Sequence, residues 1–289
     1  MVGAGGRVWY SEPMRIRVAT LGAGVMLVLA ALFAVGRCHE TFSMLHPARG
    51  DVSVPAGYNP KPRDVFIDTG RGVIHGWFFA VDQNAPTLLY IHGNADTIAK
   101  RLEVIKGYIG LGLNVFIYDP HGFGKSQGGS NRFNFVSDAF AAYRHLTERM
   151  RIRPHSIIVL GQSLGGVPAL RLANKEPVGG LILEGTFISI RQMARDMYPA
   201  LPLWPLASGD YDNEREIRRL KTPLLIINGS ADMVVAPYHS QRLFDIAPEP
   251  REYIRVDGAG HTAMYEVSPE AYYGGIARFI ERTAGQRSL

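Results

Sequence analysis

Ser156-Ile157-Ile158-Val159-Leu160-Gly161-Gln162-Ser163-Leu164-Gly165-Gly166-Val167-Pro168-Ala169-Leu170-Arg171-Leu172-Ala173-Asn174-Lys175 is the stretch from which the fold is read. The apolar run Ile157 to Leu160 has no polar alternation, which suits a strand covered on both faces in a parallel sheet. Leu164 to Lys175 reads as a helix, with Pro168 in its first turns, where proline is tolerated. A serine on a sharp turn between buried strand and helix is presented for attack, and small flanking residues let the two elements approach. G-x-S-x-G recurs at Gly124-Lys125-Ser126-Gln127-Gly128. That copy lies in a glycine-rich loop with no helix directly behind it, so Ser163 is the candidate nucleophile. Gly124-Lys125-Ser126 is not a phosphate loop either, because Asp119 stands where that motif needs glycine.

Outward from this stretch, strands and helices alternate. Val65 to Ile67 and Val73 to Ala80, split by Thr69-Gly70-Arg71-Gly72, read as a hairpin. Apolar runs follow at Thr87–Ile91, Val115–Tyr118, Leu181–Leu183, Leu224–Ile227 and Tyr253–Val256, with helical segments expected at Ala95–Leu111, Phe135–Met150, Pro237–Ile246 and Pro269–Thr283. The expectation is an α/β fold with a doubly wound, mostly parallel sheet. Roughly forty residues between Glu184 and Leu224 exceed an ordinary connection. With Phe187, Met193, Met197, Trp204 and prolines 199, 202 and 205, they predict a short cap over a pocket, at about 187–220; packing against the sheet edge is the alternative.

A serine hydroxyl needs a general base, and the base an orienting acid. In this design the chain order is Ser, then Asp or Glu, then His. Only His239 and His261 follow Ser163. His239 falls in the expected 237–246 helix and reads as an exposed surface histidine. His261 closes the glycine-rich loop Asp257-Gly258-Ala259-Gly260 behind the last strand and is the expected base. Asp232, just past the strand ending at Ile227, is the expected acid. Glu184, at the end of the preceding strand, is its rival, and Asp257 lies too near His261 in sequence. The oxyanion of acyl transfer needs two backbone N–H donors. Leu164, after the nucleophile, and Asn94, in Ile91-His92-Gly93-Asn94-Ala95, are the candidates, with His92 read as a buried residue that holds the loop.

These blocks in this order, His92-Gly93-Asn94-Ala95, Asp119 with Gly122-Phe123-Gly124-Lys125-Ser126, Gly161 to Gly166, Asp232 and His261, resemble the α/β-hydrolase superfamily over about residues 64–284. The chain looks most like its membrane-tethered branch of serine hydrolases, which includes protein depalmitoylases and lysophospholipid lipases. Pro120-His121 departs from that branch at a place expected to line the site entrance. The resemblance implies a Ser163–His261–Asp232 acyl-enzyme mechanism on carboxylic esters or thioesters, with neither metal nor organic cofactor. An amidase or peptidase on the same triad, and a catalytically silent binding protein on this scaffold, are the alternative readings.

The 289 residues are 46% apolar and 20% charged, enough for one large domain and against global disorder. A formal charge of +5, with no run of five or more basic residues, gives nucleic-acid binding little support. Cys38, the single cysteine, excludes an intramolecular disulfide. Val18 to Gly36 carries no charge, and at about 1.5 Å per residue a helix of that length is about 28 Å long, near the thickness of a bilayer core. Arg7, Arg15 and Arg17 precede it, so residues 1–17 are expected on the cytoplasmic side and the domain on the exoplasmic side. Residues 18–36 are therefore read as a transmembrane anchor, residues 37–63 as a linker and residues 64–289 as the hydrolase domain. A signal cleaved near Ala34-Val35-Gly36, giving a secreted or periplasmic protein, is the alternative. An apolar cap beside an anchor points to a small-molecule or lipid-like acyl substrate near a membrane.

Overall fold

The computed structural model describes residues 45–50, 52–200, 204–207 and 209–285. The expected anchor at 18–36, the basic segment before it and the start of the linker lie outside the described residues. Among the described residues no helix is long and apolar enough to cross a membrane.

Eight strands form one sheet in the order β1-β2-β4-β3-β5-β6-β7-β8. β1 (Arg63–Asp68) and β2 (Val73–Phe79) are the expected hairpin, and β2 also runs antiparallel to β4 (Asn114–Asp119). The remaining neighbours are parallel: β3 (Thr87–Ile91), β5 (Ile157–Gln162), β6 (Gly180–Glu184), β7 (Leu224–Gly229) and β8 (Arg251–Val256). Successive side chains leave a strand on opposite faces. Leu89, Ile91, Phe116 and Val159 accordingly enter one core, and Leu88, Tyr90, Ile117 and Leu160 the other. At about 1.5–3 kcal/mol for each large apolar side chain fully buried, covering both faces is what makes unbroken apolar strands favourable.

The helices are α1 (Leu102–Gly110), α2 (Arg132–Arg144), α3 (Gly166–Lys175), α4 (Ile190–Met197), α5 (Asn213–Ile217), α6 (Tyr238–Ile246), α7 (Met264–Val267) and α8 (Gly275–Gly285). Four depart from expectation at their starts. α8 begins at Gly275 and not Pro269, because a wider π-type turn occupies Glu270–Gly274. Ala95–Thr97 is loop because Asp96 takes a left-handed φ of 64°, and a tight turn at Ile98–Arg101 leads into α1. α2 begins at Arg132 because the Asn131 side chain accepts from the Asn134 N–H at 2.8 Å. Ser163–Gly165 forms a separate tight turn ahead of α3.

Two segments differ more. The stretch read as a linker is packed on the domain over its described part: Leu45, Val52 and Tyr58 are buried, and the Tyr58 hydroxyl donates to the Leu102 carbonyl at 2.7 Å. The cap is also shorter than 187–220. Phe187, Ile190 and Tyr211 form a small cluster over the β5–α3 turn with Leu164, Val167 and Val235, whereas Ile217 and Leu220 belong to the main core.

Candidate active site

Register brings the site together. Ile91 pairs with Gly161, Gln162 with Glu184, and Glu184 with Ile227, so the C-terminal ends of β3, β5, β6 and β7 share one edge. β3 and β5 are neighbours whose connections run to opposite sides, and the crevice beyond such a switch point is where α/β sheets bind ligands.

Ser163 stands there with a φ of 53°, a conformation that costs a non-glycine residue energy and is held by its surroundings. The flanking glycines are required by space. A Cβ on Gly165 would lie 2.1 Å from the Ile91 carbonyl oxygen, and one on Gly161 would lie 2.6 Å from Ala169 Cβ. A Cβ on Gly93 would fall 3.3 Å from Ser163 Cβ, so the loop carrying Asn94 lies against the nucleophile. Leu164 is in the first turn after Ser163, where backbone N–H groups have no partner within the helix. His92 is buried and its Nδ1 donates to the Gly93 carbonyl at 2.8 Å, holding this loop as expected.

Asp232 and His261 meet on the neighbouring loops. His261 Nδ1 donates to Asp232 Oδ2 at 2.6 Å, and Asp232 Oδ1 accepts the Val234 and Val235 N–H groups at 2.8 and 2.9 Å. The Asp232 side chain is fully buried, while His261 keeps 13% of its side chain exposed. A hydrogen bond from Ser163 to His261 is not among those formed by the described residues. The two are linked through Gly185-Thr186. A Cβ on Gly185 would lie 3.2 Å from the His261 ring, and Thr186 Oγ1 donates to the Ser163 carbonyl at 3.4 Å. A serine, an imidazole whose Nδ1 is committed to a buried carboxylate, and two candidate N–H donors form an arrangement able to carry out acyl transfer.

The competitors have other uses. Ser126 is buried, donates to the Asp119 carbonyl at 2.6 Å and accepts from the His75 N–H at 2.8 Å. Asp257 pairs with Arg255 at 2.9 Å and is largely exposed. Glu184 lies beneath the site, accepting from Gln162 Nε2 at 2.7 Å and from the Tyr272 hydroxyl at 2.5 Å. Tyr108 donates in turn to Tyr272 at 2.6 Å, and Tyr90 to Gln162 at 3.1 Å. Burial pushes the Glu184 carboxyl above the usual carboxylate range, while its two side-chain donors pull it back.

Two sequence readings are corrected. His239 is buried, not a surface residue: its Nδ1 accepts from the Ile188 N–H at 3.1 Å and its Nε2 donates to Asp196 at 2.8 Å, tying α6 to the cap. Burial holds its imidazole below the ordinary value, partly opposed by Asp196. His121 does not line an entrance. Its Nδ1 donates to Asp138 at 2.7 Å and its N–H to the other Asp138 oxygen at 2.9 Å, burying the ring against α2. The Glu184 network and the Gly185-Thr186 link were missed by sequence reasoning. Gly185 directly after a strand was the available sequence signal, and the structure gives it a left-handed φ of 54°. Among the described residues no cluster of potential metal ligands occurs.

Comparison with known proteins agrees with the fold. A family model described as serine aminopeptidase, S33, matches residues 82–212, a span that holds Asn94, Ser163 and Leu164 but ends before Asp232 and His261. An uncharacterized protein of Mycobacterium tuberculosis strain ATCC 25618 / H37Rv is 30% identical over 273 residues, 93% of this chain and 97% of the relative. The alpha/beta hydrolase domain-containing protein WAV2 of Arabidopsis thaliana is 31% identical, covering 81% of this chain and 83% of its own length. Among solved structures, the esterase Pf2001 of Pyrococcus furiosus superposes with a TM-score of 0.67 at 21% identity, covering 83% of this chain and 97% of the esterase.

Proposed function

The chain belongs to the α/β-hydrolase superfamily, and on that premise we propose that it is a serine hydrolase cleaving carboxylic esters or thioesters of lipid-like acyl groups. The observation that carries this reading is the 2.6 Å His261–Asp232 pair one loop away from a serine held at a φ of 53°. Ser163 attacks the acyl carbonyl, His261 Nε2 takes the hydroxyl proton, and Asp232 keeps the proton on Nδ1 and stabilises the imidazolium. The Leu164 and Asn94 N–H groups hold the oxyanion. His261 then returns its proton to the leaving group and activates the water that releases the acid. The acyl specificity follows from the apolar cap, and the membrane setting from residues 18–36 as an anchor with the domain on the exoplasmic side.

A fluorophosphonate probe tests the nucleophile: labelling is expected in the wild-type chain and lost in Ser163→Ala. Retained labelling in that variant would refute the assignment. The family description favours one further bond type, the amide, so turnover is to be compared on an ester, a thioester and an aminoacyl amide of one acyl group. Faster amide cleavage would replace the ester reading.

A further inference from the structure

The chain enters the described domain at the candidate active site. Leu45 is buried in the cluster that contains Leu164 and the cap residues Phe187, Ile190 and Tyr211. The His46 N–H donates to the Asn94 carbonyl at 3.0 Å, and the Ala48 carbonyl accepts the Gly124 N–H at 2.9 Å. From the end of the apolar segment at Gly36 to Leu45 is nine residues. However they run, nine residues reach at most about 32 Å. A domain of about 240 residues has a radius of gyration of about 18 Å, and hence a diameter of about 46 Å. The tether is therefore too short for the site-bearing face to point directly away from the bilayer that holds the apolar segment.

The surface is polarised the same way. Of the ten large hydrophobic side chains exposed among the described residues, eight lie on connections leaving the C-terminal ends of the parallel strands β4, β6, β7 and β8, the edge that carries Ser163, Asp232 and His261. Met233 (94% exposed) and Val234 (62%) follow the acid directly, and Met197, Tyr198 and Trp204 lie on the cap. Val81, one of the two exceptions, sits at the opposite edge, its N–H donating to Asn114 at the start of β4. Contiguous exposed apolar residues on one face mark an interaction surface, and the guanidinium of Arg195 lies 4.2 Å over the Trp204 ring, a pairing suited to the boundary between lipid tails and headgroups.

We propose that the domain docks on the lipid bilayer with this face down, the collar of Met197, Tyr198, Trp204, Met233 and Val234 entering the interface, so that the acyl substrate passes from the lipid layer to Ser163 without crossing water. The proposal rests on reading residues 18–36 as an anchor and Ser163 as the nucleophile. It is tested on the full chain with Cys38→Ser and one new cysteine, either Met233→Cys or Val81→Cys, carrying an environment-sensitive fluorophore in phosphatidylcholine vesicles with spin-labelled lipid. Quenching at position 233 is expected to exceed that at 81 by about five-fold or more, as the quencher acts over a few ångströms and the two sites lie at opposite edges of the sheet. Equal quenching, or stronger quenching at 81, would overturn the docking, as would release of the chain from vesicles by high salt. Fluorophosphonate labelling of the Cys38→Ser chain without an added cysteine reports on Ser163 separately, so docking together with an unlabelled Cys38→Ser chain would sink the hydrolase reading and leave the orientation standing. The double variant Met197→Asp with Met233→Asp should lose about ten-fold more turnover on a long-chain ester held in vesicles than on a short soluble ester, because carboxylates resist entry into lipid. Equal losses on the two substrates would count against delivery from the lipid layer.

Discussion

Replacing Asp232 by Asn changes one atom and should remove nearly all turnover, for a reason visible in the loop. Asp232 Oδ1 accepts two backbone N–H groups, from Val234 and Val235, and Oδ2 accepts from His261 Nδ1. An asparagine must keep its carbonyl oxygen toward the two backbone donors. Turning the amide over would set its NH₂ against them and lose two hydrogen bonds, each worth about 0.5–1.5 kcal/mol net and more when the donors are left buried. The NH₂ group therefore faces His261 Nδ1, which becomes the acceptor, and the ring proton moves to Nε2. An imidazole protonated on Nε2 cannot take the Ser163 proton. The expected loss in kcat is on the order of 10⁴, or about 5.4 kcal/mol of transition-state stabilisation. The assay is steady-state turnover of a short soluble ester, with thermal melting to show that the fold survives. Glu184→Gln in the same assay should fall by no more than about ten-fold, since its carboxylate bonds Gln162 and Tyr272 and not His261. An Asp232→Asn enzyme within ten-fold of wild type, beside a Glu184→Gln enzyme down by about 10³ or more, would move the acid to β6 and refute the argument.

Ser126→Ala should keep fluorophosphonate labelling but lose about 1–3 kcal/mol of stability by leaving the His75 N–H unsatisfied, which thermal melting would read as a fall of a few degrees to about 10 °C. Gly165→Ala sets a Cβ 2.1 Å from the Ile91 carbonyl and must displace the loop carrying Asn94, so labelling should slow by about 10² or more; Gly110→Ala, which meets nothing within 4 Å, should label normally. Glu184 also makes a pH prediction. Its folded-state pKa is raised, so its contribution to stability is complete below the unfolded value near 4.5 and is lost as pH rises through the folded value. Melting temperatures from pH 4 to 8 should show Glu184→Gln gaining on wild type as pH rises, and a gain only on acidification would contradict the buried-carboxyl account.

The parallel sheet was legible because burial on both faces demands uninterrupted apolar strands, and β3 begins and ends where its run of residues implied. Which of the two G-x-S-x-G copies sits on a strand–turn–helix was legible too: that element needs apolar residues before and helix formers after, and only the Ser163 copy has both. The failures share a different cause. Whether His239 is on the surface depends on what lies over the start of α6, and that is the cap's Asp196, 43 residues earlier. The resemblance puts His121 at the site entrance, yet Asp138 on α2 draws the ring inward. The proline-rich entry segment looked like a linker because proline and glycine mark turns wherever they occur, and the burial of Leu45, Val52 and Tyr58 depends on partners distant in the chain.

Local pattern was enough for the elements, their order and the residues able to act as nucleophile, base and acid, since strand burial, turn chemistry and the order Ser, Asp, His are properties of short stretches. Register and packing decided the rest: that Asp232 and not Glu184 meets His261, that Glu184 is enclosed by tyrosines from β3, α1 and the last helical segment, and that the chain enters its domain beside the Asn94 loop. Those outcomes turn on separations of 2.5 to 2.7 Å between residues 22 to 164 positions apart, and no periodicity in a single chain encodes a distance of that kind.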